Sequence, residues 1–415
     1  MKKNSLTFHW NLLTCSFIFI SFFVSSFDSL KSEDIRLYDN SRVFGMIESF
    51  SNNTLKVRLP NGELKELPLE EIVEASFRGR IPTLIQSGTQ EFIFLTGSRL
   101  RGEIIRNRGD KLEIKCHAAG QIVIGLDALQ GFISLPKVGF AGRNASDMIK
   151  RKKVSHSSFV DWVYDKRGSV YLGALSQLKR QSLVVDLDSR LQNVTIPIHY
   201  LAGVRLANAE RKAVSQKGKN IRVRLNTRDG SRIDGKLKSV NNGRFTLAPD
   251  WEPDSDLIIS RDEITLLQVL GGRVQDLTLI EPVDVVEKTI LTPPQPYRYN
   301  TSCKGGLLSI NNRVYPRGIG MHANAKLSFD IGGTYKKLKA DIGIASSMKK
   351  RGSVVFKVKG DGRELYKSPI LKGGIAPHPI EVDIKGVKRL EIIAENAGDL
   401  DLGDMANWGS VRVIR

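Results

Sequence analysis

The sequence predicts an all-β protein: tandem small β-barrel repeats followed by a C-terminal β-sandwich, or jelly roll. Three observations carry that expectation. Helical periodicity is nearly absent outside short pieces such as NASDMIKRKK (144–153), while alternating apolar and polar runs recur along the chain. A Ser-x-x-x-Gly spacing recurs four times before residue 240. From about Gly272 the texture changes to strongly alternating runs such as SVVFKVKG, IEVDIKG and SVRVIR, separated by glycine-containing turns.

In chain order, the first element is MKKNSLTFHWNLLTCSFIFISFFVSSF. Lys2 and Lys3 precede an uncharged apolar stretch from Leu12 to Phe27, too short for a comfortable membrane span. Residues 1–32 read as a secretory signal peptide, the alternative being a retained N-terminal anchor. No later segment is apolar enough to cross a bilayer, so the expected location is exported: periplasmic, cell-surface or secreted. After cleavage only Cys116 and Cys303 remain, which excludes a disulfide scaffold and a cysteine-rich zinc site.

The four repeats are NSRVFGMIE (40–48), GSRLRGEII (97–105), GSVYLGALS (168–176) and GSRIDGKLK (230–238). Each lies at a strand–turn–strand signal, and the glycine of each marks a bend or bulge in the second strand. Five short strands per unit is the arithmetic of a small SH3-like or Sm-like barrel. The expected units are 33–79, 88–136, 159–208 and 219–271, with a basic linker or solvated loop at 137–158. No acidic residue recurs at one place in all four, so the repeats read as spacers or as interaction modules for envelope proteins.

The chain carries 63 Lys+Arg against 44 Asp+Glu, a net charge of +19. The excess is spread along its length rather than gathered in a groove, and stacking aromatics are scarce around 143–158. Nucleic acid is therefore a poor candidate partner.

Residues 272–415 form the last unit. Its blocks run in order YPRGIGMHA, DIGGTYKKLKADIGI, GSVVFKVKGDGRELYKS, VDIKGVKRLEII and ENAGDLDLGDMANWGSVRV. This order resembles the NPCBM/NEW2 domain, a galactose-binding-like jelly roll often attached to glycoside hydrolases and other exported bacterial proteins. The resemblance implies glycan or polysaccharide binding by loops at one end of the sandwich. The candidate sugar contacts are Arg317, His322, Asn324, Asp399, Asn407 and Trp408. For His322 and Trp408 a second role, filling the sandwich core, stands beside the first. In related sandwiches loop acids can hold a structural Ca²⁺, which makes Asp399, Asp401 and Asp404 candidate ligands. Here the chain departs from the family pattern, with Ala345-Ser346-Ser347 where acidic residues are usual.

No paired-carboxylate loop set suits a glycosidase. The expectation is a non-enzymatic, exported carbohydrate-binding protein. The rivals are an envelope structural protein without sugar binding, and a glycoside hydrolase with a site hidden between domains.

Overall fold

The computed structural model describes residues 32–39, 41–77, 88–137, 160–187, 192–207, 221–290 and 295–415, together with Gly142, Ala145 and Ile149. The expected signal peptide and most of the expected basic linker lie outside the described residues.

Each repeat is a five-stranded unit. The first comprises β1 (Glu33–Leu37), β2 (Arg42–Ser51), β3 (Thr54–Arg58), β4 (Leu64–Pro68) and β5 (Ile72–Phe77). The second comprises β6 (Gln90–Phe94), β7 (Arg99–Arg108), β8 (Lys111–Cys116), β9 (Gly120–Gly125) and β10 (Leu129–Ser134). The third runs through β11 (Asp161–Asp165), β12 (Val170–Leu178), β13 (Ser182–Leu187), β14 (Asn193–Pro197) and β15 (Leu201–Arg205). The fourth runs through β16 (Arg222–Thr227), β17 (Arg232–Asn241), β18 (Arg244–Pro249), β19 (Leu257–Ser260) and β20 (Ile264–Leu270). In every unit the first strand pairs with the second and the fifth, and one turn of 3-10 helix joins the fourth to the fifth.

The recurring glycine has a steric cause. A Cβ on Gly45, Gly102, Gly173 or Gly235 would meet a third-strand carbonyl oxygen at 2.6, 2.6, 2.1 and 2.4 Å respectively. The third strand thus lies directly against the glycine. The expected bulge follows two to four residues later, between Ile47 and Ser49, Ile104 and Arg106, Leu175 and Gln177, and Leu237 and Ser239.

The units do not stand as separate barrels. The fifth strands of units one and four pair with each other (Ala75↔Leu267), and so do those of units two and three (Phe132↔Val204). Units two and four meet through β7 and β17 at Arg99↔Arg232. One buried apolar cluster runs through all four units, with Phe77 edge-on to Phe245 and Phe94 stacked on Trp251 across unit boundaries. The expectation of a solvated linker at 137–158 also needs correcting. Ala145 and Ile149, at helical spacing, are buried with Ile133, Tyr164 and Ala202 over the junction of units two and three.

The C-terminal sandwich has two sheets. One orders β23 (Arg298–Tyr299), β26 (Gly318–His322), β34 (Met405–Ile414), β28 (Lys337–Ile344) and β32 (His378–Asp383), with β21 (Val274–Asp276) added along β34. The other orders β22 (Asp284–Glu287), β27 (Ala325–Asp330), β33 (Arg389–Asn396), β29 (Ser353–Gly360) and β30 (Arg363–Lys367), with β31 (Leu371–Lys372) along β29. A small hairpin, β24 (Ser309–Ile310) and β25 (Arg313–Val314), stands apart. Leucine, isoleucine, valine and phenylalanine from the inner faces of both sheets fill the core.

Candidate functional site

The glycines of YPRGIGMHA belong to a strand, β26, and not to a turn. They let a covering segment lie flat on the sheet. A Cβ on Gly320 would meet Thr301 O at 2.4 Å, one on Gly343 would meet Ile310 Cγ2 at 2.5 Å, and one on Gly409 would strike the Tyr315 ring at 2.6 Å. Leu308, Ile310 and Tyr315 form a small apolar cluster of their own, and the Tyr315 hydroxyl donates to Asp341 at 2.9 Å. Asn407 Nδ2 donates to Ser309 O at 3.0 Å, so this fully buried amide pins the cover. That placement corrects its expected role as a sugar contact.

His322 and Trp408 occupy the interior, the second of the two roles expected for them. His322 is 2% exposed, with Nδ1 3.2 Å from Ala323 O. Trp408 is 0% exposed, edge-on to Phe356 at 5.2 Å, with Nε1 donating to Met321 Sδ at 3.1 Å. A ring with no exposed face has nothing to offer a sugar.

Arg317 directly precedes β26 and Asn324 lies in the turn beyond its other end, with five residues of strand, about 17 Å, between them. The expectation that both face one loop cluster is therefore overturned. Arg317 faces the barrels: its guanidinium contacts Glu74 and lies 3.4 Å from Asp276, and Arg36 reaches the same two carboxylates at 3.2 and 3.3 Å. Burial pushes the Asp276 carboxyl above the usual range, while the two arginines pull it back. Further along this junction Arg232 lies 3.6 Å from Glu281. The Arg317 end of the sandwich is thus occupied by the five-stranded units.

The aspartates lie at the opposite end. Asp399 accepts the Ser353 hydroxyl at 2.7 Å, Asp404 accepts the Ser353 N–H at 2.8 Å, and Asp401 accepts the Ile290 N–H at 2.6 Å. These bonds tie loop 397–404 to the starts of neighbouring segments. Burial, with Asp399 and Asp401 nearby, raises the Asp404 carboxyl to about 6, and its Oδ2 has no hydrogen-bond partner. Among the described residues no group of three or more His, Cys, Asp or Glu side chains could hold a metal ion.

Among the described residues at this end lies a shallow depression of about 300 Å³ lined by Asn324, Ala325, Lys326, Ile393, Glu395 and Asn396. Lys326 and Ile393 are cross-strand neighbours on β27 and β33, and the Asn324 side-chain carbonyl accepts the Asn396 N–H at 3.4 Å. Lys357 reaches Glu395 at 2.7 Å from the next strand. The sequence reading missed Lys326, Ile393, Glu395 and Asn396, because only the pairing of β27 with β33 brings them together. Exposed Ile290, Leu400 and Leu402 lie in the neighbouring loops. Charged, amide and apolar groups on an open surface suit a polar ligand that also has an apolar face.

Comparison with known proteins identifies the C-terminal segment. Residues 284–414 match the NPCBM/NEW2 domain family. A putative endo-alpha-N-acetylgalactosaminidase of Renibacterium salmoninarum is 32% identical over 110 residues, 26% of this chain. The chain spans 7% of that relative's length. Among solved structures, CBM51 from Clostridium perfringens GH95 in complex with methyl-galactose is 20% identical, covering 34% of this chain and 99% of that one, with a TM-score of 0.31. Tandem CBM51 modules of a Streptococcus pneumoniae family 98 glycoside hydrolase are 10% identical, covering 92% of this chain and 87% of that one, with a TM-score of 0.30. The C-terminal sandwich, residues 284–414, is an NPCBM/NEW2 domain.

Proposed function

We propose that this chain is an exported, non-enzymatic glycan-binding protein whose sandwich takes sugar at the end remote from the barrels. The NPCBM/NEW2 match over residues 284–414 carries the reading. The choice of end rests on Arg317: its ion network with Glu74 and Asp276 fills one end and leaves Asn324, Lys326, Glu395 and Asn396 accessible at the other. An open depression with a few polar groups supports weak binding, with a Kd of roughly 0.1–1 mM. The named activity of the Renibacterium relative is not carried over, because the chain spans so little of it.

The test is a glycan array on the purified full chain, followed by titration of any hit. Lys326→Ala with Asn396→Ala should abolish binding, and Arg317→Ala should leave it unchanged. Loss of binding in Arg317→Ala alone would place the site at the barrel junction, the position a cleft between domains would require. Calcium enters as a separate measurement. A higher melting temperature in calcium than in EDTA would assign Asp404 Oδ2 and main-chain carbonyls to an ion, and equal melting temperatures would leave the aspartates as loop ties.

A further inference from the structure

The second strand of each barrel unit is used in two halves. Its C-terminal half meets the partner within a pair: Val240 of β17 bridges to Phe50 of β2, and Arg106 of β7 bridges to Lys179 beside β12. The N-terminal half joins the pairs. There β7 and β17 run antiparallel with Arg99 opposite Arg232, and the repeat serines close the contact reciprocally. The Arg101 N–H donates to Ser231 Oγ at 2.9 Å, and the Asp234 N–H donates to Ser98 Oγ at 3.0 Å. Both donors lie three residues after the serine of their own unit. The contact is a local two-fold between equivalent edges.

Among the described residues, units two and four therefore use both halves of this strand, whereas units one and three use only the C-terminal half. In unit three, β12 pairs with β11 from Val170 to Gly173, and its pairing with β13 begins only at Gly173. Among the described residues, the other edge of Val170–Leu172 has no strand against it. Leu172 holds the place of Arg101 and Asp234, each opposite the equivalent first-strand residue (Trp162, Glu91 and Arg224). By that register its N–H turns outward toward a partner. The side chains there are apolar and open, with Val170 44% and Leu172 43% exposed. The corresponding edge of unit one is mixed, with Arg42 paired with Asp34 at 2.9 Å and Phe44 at the place of Leu172. An open edge lined by apolar side chains invites strand addition.

We propose that the Gly168–Leu172 edge of unit three docks against the same edge of a second copy of this chain, repeating between molecules the contact that joins units two and four within one. In that dimer Val170 faces its own counterpart, and each Leu172 N–H donates to Ser169 Oγ of the other copy. An isologous contact of this kind closes at two copies.

The experiment is light scattering on the purified full chain at about 100 µM, a range suited to a small interface. The expected mass is twice that of one chain, falling to one for Leu172→Asp with an unchanged melting temperature. Val170→Cys supplies a readout independent of the folding of that variant. Mild oxidation should convert it to a disulfide-linked dimer, while Val123→Cys, at a more exposed position in unit two, stays single. A monomer at this concentration overturns the proposal and leaves the edge to some other partner. A dimer that survives Leu172→Asp, or an open-ended polymer in place of a dimer, overturns it equally.

Discussion

Glu33 allows a quantitative test of how units one and four are joined. It sits in β1 with its carboxylate accepting the Ile47 N–H at 2.9 Å and contacting the Arg261 guanidinium of unit four, which also reaches Ile47 O at 3.3 Å. Burial raises this carboxyl from 4.5 to about 7, outweighing the pull of Arg261. The folded protein therefore holds a proton that the unfolded chain releases between those two values. The stabilisation from that proton is fully present below about pH 4.5 and is lost as pH rises through 7. At about 1.4 kcal/mol per tenfold change in proton affinity, the loss amounts to about 3 kcal/mol. Glu33→Gln keeps an acceptor for the Ile47 N–H and has no proton to lose. Arg261 then lacks the Glu33 charge at every pH, a constant offset that does not alter the slope. Urea unfolding of both proteins from pH 4.5 to 8 should show the wild type weakening relative to the variant by about 3 kcal/mol. Parallel profiles, or a wild type that gains on the variant as pH rises, would refute the dominance of burial over the ion pair.

Two further outcomes follow from packing. Gly173→Val places a Cβ 2.1 Å from Asp186 O and should cost at least about 1–3 kcal/mol. Because the apolar cluster is continuous across the units, calorimetry should show the whole barrel transition shifting, and a separate early transition for unit three would count against that continuity. Trp408→Ala empties the centre of the sandwich and should cost about 3–5 kcal/mol, read as a lower melting temperature. An unchanged melting temperature with lost glycan binding would return this residue to the sugar site.

The all-β class, the four repeats and the C-terminal sandwich were legible from the sequence, because turn chemistry and the two-residue alternation of strands are local properties. Ser-x-x-x-Gly repeats because each glycine lies under a neighbouring carbonyl within its own unit, a demand that every copy restates. The resemblance of the C-terminal blocks identified the domain for a related reason: those blocks are its strands and turns in chain order. Arg317 and Asn324 were expected among the loops at one end of the sandwich, whereas the strand β26 separates them. The joining of the units depends on pairings such as Ala75 with Leu267, nearly two hundred residues apart, for which no local pattern exists. The burial of Asn407, His322 and Trp408 likewise follows from what lies over them, Ser309 and Phe356 among others, brought there by chain closure. Local periodicity determined which strands form, and long-range pairing decided which of their ends and edges stay open.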